Sequence, residues 1–205
     1  MSKYESVEAR ASYGIGLNMG EQLASNPFDG LDIDAVTAGI ATAFNKEPSE
    51  VAPEDLQAAF EEIQKRMQAQ KEEEAKAQIQ AGVDFLKENG ARDEVTVTDT
   101  GLQYEVLAEG EGESPTAEDK VKVHYHGTFI DGQVFDSSVQ RGEPVEFPAN
   151  GVIAGWTEAL QLMKPGSKFK LAVPHQLAYG EQGAGGAIPP YTTLCFEVEL
   201  LEVVK

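Results

Sequence analysis

The spacing of apolar residues changes once along this chain, near residue 92, and the change limits the folds that are open to it. Before that point apolar residues recur every three or four positions, which is the period of an amphipathic helix. After it they alternate with polar residues, as in strands with one buried face. We therefore predict an all-α N-terminal part followed by an α+β domain, in which an antiparallel sheet wraps over one short helix.

Residues 1–50 contain two short helical patterns. The apolar positions are Ala11, Ile15, Met19 and Leu23 in the first pattern, and Ile33, Val36, Ile40 and Phe44 in the second. A helical hairpin of about 50 residues buries too little surface to be stable alone, and oligomerisation commonly supplies the missing core. We therefore predict that residues 1–50 form a homodimer through these helices, and we expect the module to bind client proteins.

Residues 51–91 are predicted to form one long helix. Pro53 suits its first turn and Gly90 suits its end. An apolar stripe between Leu56 and Met67 is followed by a segment whose only apolar residues, up to Ile79, are alanines. The lack of large apolar residues in the middle favours a stiff connecting helix, whose roughly 36 residues between its end signals span about 54 Å at about 1.5 Å per residue. The alternative is a helix that lies flat on one domain.

Residues 92–205 carry the alternating segments. These are 102–106, 121–125, 169–173 and 194–200, with glycine-containing turn signals between them. Only the segment from Trp156 to Met163 has a helical pattern there.

The charge and cysteine content limit the partners and the compartment. The net charge of −19, from 35 acidic and 16 basic residues, repels polyanions, so we expect no nucleic-acid partner and no membrane partner. The chain has no apolar run long enough to span a bilayer, and no signal-peptide core near Met1. Cys195 is the only cysteine, so no intrachain disulfide can form. The missing signal-peptide core, the missing membrane span and the single cysteine together indicate a cytoplasmic protein.

Five ordered motifs carry the functional information. They are Val121-Lys-Val-His-Tyr-His-Gly127, Asp131-Gly-Gln-Val-Phe-Asp-Ser-Ser138, Val152-Ile-Ala-Gly-Trp156, Leu177-Ala-Tyr-Gly180, and Ile188-Pro-Pro190 with the strand that follows it. In this order they resemble the FKBP-type peptidyl-prolyl cis–trans isomerases. The helical N-terminal half also resembles a dimeric bacterial subgroup that includes the macrophage infectivity potentiator proteins. The resemblance implies a prolyl isomerase, or rotamase, domain in residues 92–205.

The resemblance also implies the site residues. The catalytic positions fall on Tyr125, Asp136 and Tyr179. The substrate-binding positions fall on Phe135, Phe147, Val152, Ile153, Trp156, Ile188 and Phe196. No cofactor and no metal are implied. Isomerisation rotates an amide over a barrier of about 18–20 kcal/mol without breaking a bond, so a dry aromatic pocket that disfavours the polar, planar amide suits the reaction.

Taken singly, these residues have ordinary alternative roles. Trp156 fits a plain core position, Tyr125 a sheet core, and Asp136 a turn or a cap. His124 and His126 have the spacing of a metal pair, but no further ligand is near in sequence, so a solvated strand face is the favoured interpretation. A pure binding module, in which the pocket only docks a proline-bearing partner, is the alternative to an enzyme.

The expected partners follow from the same resemblance. They are unfolded or partly folded proteins with X–Pro bonds, and macrolide inhibitors such as rapamycin. Val145 replaces an aromatic residue that small family members often have, and Ala184 and Ala187 stand in a Gly-rich loop where bulkier residues are common. We therefore expect a more open rim and weaker macrolide binding.

Overall fold

The structure, a computed structural model that describes residues 3–204, begins with helices and continues into a sheet. The helices before the sheet are α1 (Val7–Ser25), α2 (Ile33–Asn45) and α3 (Pro53–Gly90). The strands are β1 (Thr96–Val97), β2 (Gln103–Ala108), β3 (Lys120–Phe129), β4 (Val134–Ser137), β5 (Val145–Pro148), β6 (Lys168–Val173) and β7 (Leu194–Val204). Between strands lie α4 (Ser138–Arg141), α5 (Ala154–Leu162) and a 3₁₀ turn (His175–Leu177).

The prediction of two short helices followed by one long helix is confirmed. The side chains of Ser6 and Asp32 cap α1 and α2 by accepting backbone N–H groups, and Pro53 occupies the first position of α3. One compact unit ends at Lys71 and a second begins at Glu72, so the boundary between the units lies inside α3.

The N-terminal unit leaves many of its apolar side chains in contact with solvent. No residue of α1 or α2, both described throughout, is buried. Phe44 is 86% exposed and Phe60 is 71% exposed. This agrees with the expectation that these helices bury too little core on their own.

The prediction of an antiparallel sheet is also confirmed. Within residues 3–204 its seven strands follow the order β1-β2-β6-β7-β3-β4, with β5 paired to β3, and every pairing is antiparallel. Alternation along β3 buries Val121 and Val123 and places Tyr125 next on the same face. Tyr125 lies opposite Val198 of β7, which is buried, so the sheet core leads directly to the predicted site.

The helix α5 packs on this buried face. Trp156, Ala159 and Leu160 are its buried side chains, and they belong to one core cluster with the strands. A Cβ at Gly155 would lie 2.5 Å from Val173 Cγ1, so glycine is needed for the close approach of helix and sheet.

Several short elements were not predicted. The strands β4 and β5 have four residues each and β1 has two, which is too short for alternation to show in the sequence. The helix α4 is a single turn between the cap residue Ser137 and Gly142, whose φ of 75° ends it.

The last turns of α3 belong to the C-terminal unit. The side-chain amide of Gln103 on β2 donates to the carbonyl of Leu86 at 2.7 Å and accepts from Asn89 at 2.8 Å. These contacts fasten the end of the helix to the sheet. Although α3 has 38 residues, neither it nor any other helix in the described part of the chain is apolar enough to cross a membrane.

Candidate active site

A pocket of about 450 Å³ opens in the C-terminal unit between the sheet and the start of α5. Its lining residues are Tyr125, Phe135, Asp136, Val145, Phe147, Gly151, Val152, Ile153, Trp156, Tyr179 and Phe196. The structure thus brings together nine of the ten predicted site residues. The tenth, Ile188, is 8% exposed and belongs to the hydrophobic core beside the pocket.

Aromatic rings form the floor and walls of this pocket around Trp156. The ring centroids of Tyr125, Phe147 and Phe196 lie 5.3, 5.6 and 5.2 Å from that of Trp156. Phe135 packs edge-on against Phe196 at 5.6 Å. The indole N–H is buried and has no hydrogen-bond partner in residues 3–204. A group that enters here therefore exchanges water for ring surfaces.

A polar cluster stands at one side of the rings. The Tyr125 hydroxyl donates to the carboxylate of Asp136, and the guanidinium of Arg141 binds that carboxylate and donates to the Tyr125 oxygen at 3.0 Å. The backbone N–H of Tyr125 donates to the buried Ser138 hydroxyl at 2.8 Å. Tyr125 is thereby held both at its side-chain hydroxyl and at its backbone N–H.

The cluster changes the protonation equilibria of its members. Burial alone raises the pKa of Asp136, but hydrogen bonds from Tyr125 and Arg141, with the arginine charge, outweigh it and hold that pKa below its usual value. Burial, and then the hydrogen bond to Asp136, raise the pKa of the Tyr125 phenol. At neutral pH the pocket therefore presents a carboxylate and a neutral phenol.

Two further predicted residues lie at the mouth. Ile153 precedes α5, and its backbone N–H donates to no group within residues 3–204. Tyr179 is 41% exposed and follows the 3₁₀ turn. Ile188 pairs with Ala184 in the adjoining loop, so its contact with substrate stays a prediction.

Sequence reasoning missed two contributors. Arg141 was not singled out, although an arginine at the end of a helical turn that starts just after Asp136 is well placed to reach that carboxylate. Gly151 lines the pocket without a side chain, and nothing in the sequence marks it. The alternative role for Asp136, capping a turn, falls instead to Ser137, whose hydroxyl accepts the Gln140 N–H at 3.2 Å.

The two histidines of β3 flank Tyr125 in sequence and do not line the pocket. His124 Nδ1 is 3.1 Å from Ser138 Oγ, and His126 Nδ1 is 3.0 Å from Ser137 Oγ. Both rings are half-buried, so the expected solvated face is only partly solvated. Within the described residues no group of three or more His, Cys, Asp or Glu side chains could hold a metal ion.

Comparison with known proteins identifies the family. Residues 111–201 match the sequence model of the FKBP-type peptidyl-prolyl cis-trans isomerases, and residues 8–106 match that of the domain amino terminal to them. The chain is 50% identical over 201 residues to the FKBP-type 22 kDa peptidyl-prolyl cis-trans isomerase of Escherichia coli K12, covering 98% of each. The chain belongs to the FKBP-type peptidyl-prolyl cis-trans isomerases.

Other members of the FKBP-type family match over most of the chain. FkpA of Aeromonas hydrophila is 42% identical over 212 residues, which cover 98% of this chain and 78% of that protein. Mip of Coxiella burnetii is 52% identical over 121 residues, which cover 59% of this chain and 53% of that protein. The predicted resemblance to FKBP-type and Mip-like isomerases is thus confirmed.

The solved structures agree with this assignment. The crystal structure of FkpA from Escherichia coli superposes with a TM-score of 0.72 at 36% identity, and the match covers 98% of both chains. The likeness extends over the helical region and the sheet domain. This FKBP-type protein is therefore an enzyme, a prolyl isomerase. Its relatives do not support the alternative of a pure binding module.

Proposed function

We propose that this isomerase acts on X–Pro bonds of folding proteins in the Trp156 pocket, while its N-terminal unit forms a homodimer that binds unfolded clients. The single observation that supports the catalytic half is the pocket itself: ring surfaces on the floor and walls, and hydrogen-bonding groups on one side and at the mouth. That combination fits a proline ring and its amide.

The rings act on the amide by removing its water. Resonance makes the planar amide more polar than the twisted amide, so transfer into an apolar pocket raises the free energy of the planar form more. Trp156 forms the floor under the proline ring, and Phe135, Phe147 and Phe196 form walls. The barrier to rotation falls because the twisted transition state loses less solvation than the ground state.

The polar groups hold the peptide in one pose. The unpaired N–H of Ile153 and the hydroxyl of Tyr179 donate to carbonyls beside the proline. The Asp136 carboxylate orients the Tyr125 hydroxyl, or meets the distorted carbonyl carbon, in its ionised form. Arg141 keeps that carboxylate ionised and in place.

Covalent chemistry has no support from the cysteine. Burial raises the pKa of the Cys195 thiol to about 11, so at neutral pH it stays protonated. Its position on β7 is outside the pocket lining.

The N-terminal unit supplies the apolar surface for assembly and client binding. A groove of about 820 Å³ runs along α1, and its lining includes Tyr13, Gly16, Leu17 and Gly20. Gly16 and Gly20 are four positions apart and have no side chains, so a second helix can approach closely there. We assign residues 1–50 to dimerisation and client binding, 51–91 to the connecting helix, and 92–205 to isomerisation. The single cysteine, which cannot form an intrachain disulfide, supports action in the cytoplasm.

The test compares the intact chain with the unit Glu72–Lys205, which retains the turns of α3 that pack on the sheet. A short X–Pro peptide needs only the pocket, so both proteins should isomerise it with similar kcat/KM. In a proline-limited refolding assay the unit alone should lose most of its activity. Two tethered sites raise the effective concentration of a client by about 100-fold or more.

Intact Trp156→Ala is the control, because it should still bind an unfolded protein while it loses both activities. Equal activity of the unit and the intact chain in the refolding assay would show that the N-terminal unit has no client role. Loss of peptide activity in the unit, at unchanged folding, would contradict the assignment of catalysis to the pocket alone.

A further inference from the structure

The loop that carries Tyr179 and Ile188 is closed on itself at its base. The backbone N–H of Tyr191 donates to the carbonyl of Gly180 at 2.8 Å, and the N–H of Gly180 donates to the carbonyl of His175 at 2.9 Å. Between those ends, Gly183, Gly185 and Gly186 all have positive φ. Ala184 and Ile188 hydrogen-bond to each other inside the loop. The glycines around this pair have a wide choice of backbone conformations, so the attachments of the loop help to determine where its pocket-facing residues lie.

A second attachment comes from outside the pocket. The hydroxyl of Thr192 donates to the carbonyl of Pro189 at 2.7 Å, and the side-chain amide of Gln78 donates to the Thr192 oxygen at 3.2 Å. Thr192 is only 4% exposed. The buried Thr192 hydroxyl therefore links α3 to Pro189, the residue that directly follows Ile188. Because this hydroxyl accepts one hydrogen bond and donates another, each bond polarises it and strengthens the other.

Gly82 lets the helix α3 pack closely beside the hydrogen bond between Gln78 and Thr192. Gly82 stands one turn after Gln78 on the same face of α3. A Cβ at Gly82 would lie 2.5 Å from Thr193 Oγ1. The helix therefore contacts two consecutive residues before β7, Thr192 and Thr193, and these contacts fix its register. In this register the Gln78 side chain lies within hydrogen-bond distance of the Thr192 hydroxyl.

We propose that Gln78 and Thr192 are positioning residues for prolyl isomerisation: through the carbonyl of Pro189 they hold the Tyr179–Ile188 loop in its substrate-binding position. Neither residue lines the pocket. The inference rests on the proposed function, in which the mouth of the pocket contacts the peptide. A loop that leaves this position lowers the competent fraction of the enzyme, which raises the apparent KM in proportion.

The experiment starts from four single-residue variants of the intact chain, assayed with a short X–Pro peptide. Gln78→Leu and Thr192→Val remove the link at either end with little change of volume. Their matched controls are Gln80→Leu, at an exposed position of the same helix, and Thr192→Ser, which keeps the hydroxyl. We expect Gln78→Leu and Thr192→Val to raise KM by about fivefold, the factor that one neutral hydrogen bond contributes to an equilibrium, with kcat unchanged. Both controls should match the unmodified chain.

Amide hydrogen exchange supplies a readout that does not depend on activity. The N–H groups of Ala184, Ile188 and Tyr191 should exchange faster in Gln78→Leu and Thr192→Val, while those of α5 do not change. In the double variant the rise in KM should not exceed that of Thr192→Val alone, because both substitutions break the same chain of bonds. An unchanged KM, a matching loss in kcat, or multiplicative effects in the double variant would overturn the proposal.

Tyr179→Phe, measured in the same series, separates this inference from the proposed function. If Tyr179→Phe lowers kcat/KM while Gln78→Leu and Thr192→Val leave KM and loop exchange unchanged, the inference alone is wrong. If Tyr179→Phe has no effect, the proposed role of Tyr179 is wrong, and the exchange rates of the loop still decide whether Gln78 and Thr192 hold it.

Discussion

The hydroxyl of Tyr125 donates directly to the carboxylate of Asp136 at the edge of a largely apolar pocket. The two residues come from neighbouring strands, β3 and β4, whose register pairs Gly127 with Asp136. The sheet therefore sets the contact. It gives the pocket one fixed, ionised group beside rings that exclude water.

Loss of the Tyr125 hydroxyl should lower catalysis without unfolding the protein. A hydrogen bond to a charged group contributes about 1.5–3 kcal/mol, so Tyr125→Phe should reduce kcat/KM by about tenfold or more. Tyr104→Phe on β2, where the ring stacks on Phe169 outside the pocket, is the matched control and should keep full activity. Full peptide activity in a folded Tyr125→Phe, Asp136→Ala double variant would contradict the assignment of the site.

Truncation of the pocket floor should affect both activity and stability. Trp156 is 5% exposed and contacts three aromatic rings, so Trp156→Ala should lower the free energy of unfolding by about 3–5 kcal/mol. Denaturant titration measures that loss. The peptide assay, carried out without denaturant so that the variant is still folded, should show a large fall in kcat/KM. A variant that keeps full activity would show that the pocket is not the catalyst.

Removal of the Arg141 guanidinium should change how stability depends on pH. The folded pKa of Asp136 lies below the unfolded value of about 3.9, so its ionisation stabilises the fold above that pH, and the contribution is lost as pH falls through the folded pKa. In Arg141→Gln the pKa of Asp136 should rise. The loss of unfolding free energy between pH 7 and pH 3 should then be smaller than in the unmodified chain.

Asp136→Asn provides the control for this measurement. With the carboxylate absent, Arg141→Gln should no longer alter the difference between pH 7 and pH 3. A carboxyl titration by NMR that gives the same pKa for Asp136 with and without Arg141 would contradict the prediction.

The sequence predicted the long elements because their periodicity extends over many residues. Alternation is clear from Val121 to Tyr125 in β3 and from Leu194 to Leu200 in β7, and α3 has both its end signals. The single turn α4 and the short strands β4 and β5 have no such length. Their positions depend on pairing with β3, which is a contact between distant residues and leaves no local pattern.

The site was predictable to the extent that motifs marked it. Tyr125, Asp136 and Trp156 stand in ordered motifs, and the structure brings them into one pocket. Arg141 and Gly151 have no marked pattern around them. The link from Gln78 to Thr192 joins residues 114 positions apart, so only the packing of α3 on the sheet shows it.

Rapamycin should bind in the pocket and compete with peptide. Val145 of β5 pairs with Val123 of β3 and lines the pocket at a position where an aromatic ring would add contact. An aromatic pair contributes about 0.5–1.5 kcal/mol, so Val145→Phe should tighten rapamycin binding by about fivefold. Calorimetry measures this, with Val106→Phe on β2 as the control outside the pocket. Absence of binding by an active enzyme would show that the pocket differs from the one proposed.

The apolar residues of the N-terminal helices should hold two chains together. Phe44 is 86% exposed and Ile15 is 63% exposed, and burial of such a side chain contributes about 1.5–3 kcal/mol. Light scattering should therefore show a dimer for the intact chain and a monomer for Glu72–Lys205.

Point variants test the same interface in the intact chain. Phe44→Asp and Ile15→Asp each replace an apolar side chain, whose burial stabilises the dimer, with a charge that is costly to bury, so they should weaken the dimer by at least about tenfold. Leu162→Asp, at an exposed apolar position of α5, is the control and should leave the dimer intact. A dimer that survives in Glu72–Lys205, or in both N-terminal variants, would place the interface elsewhere in the molecule.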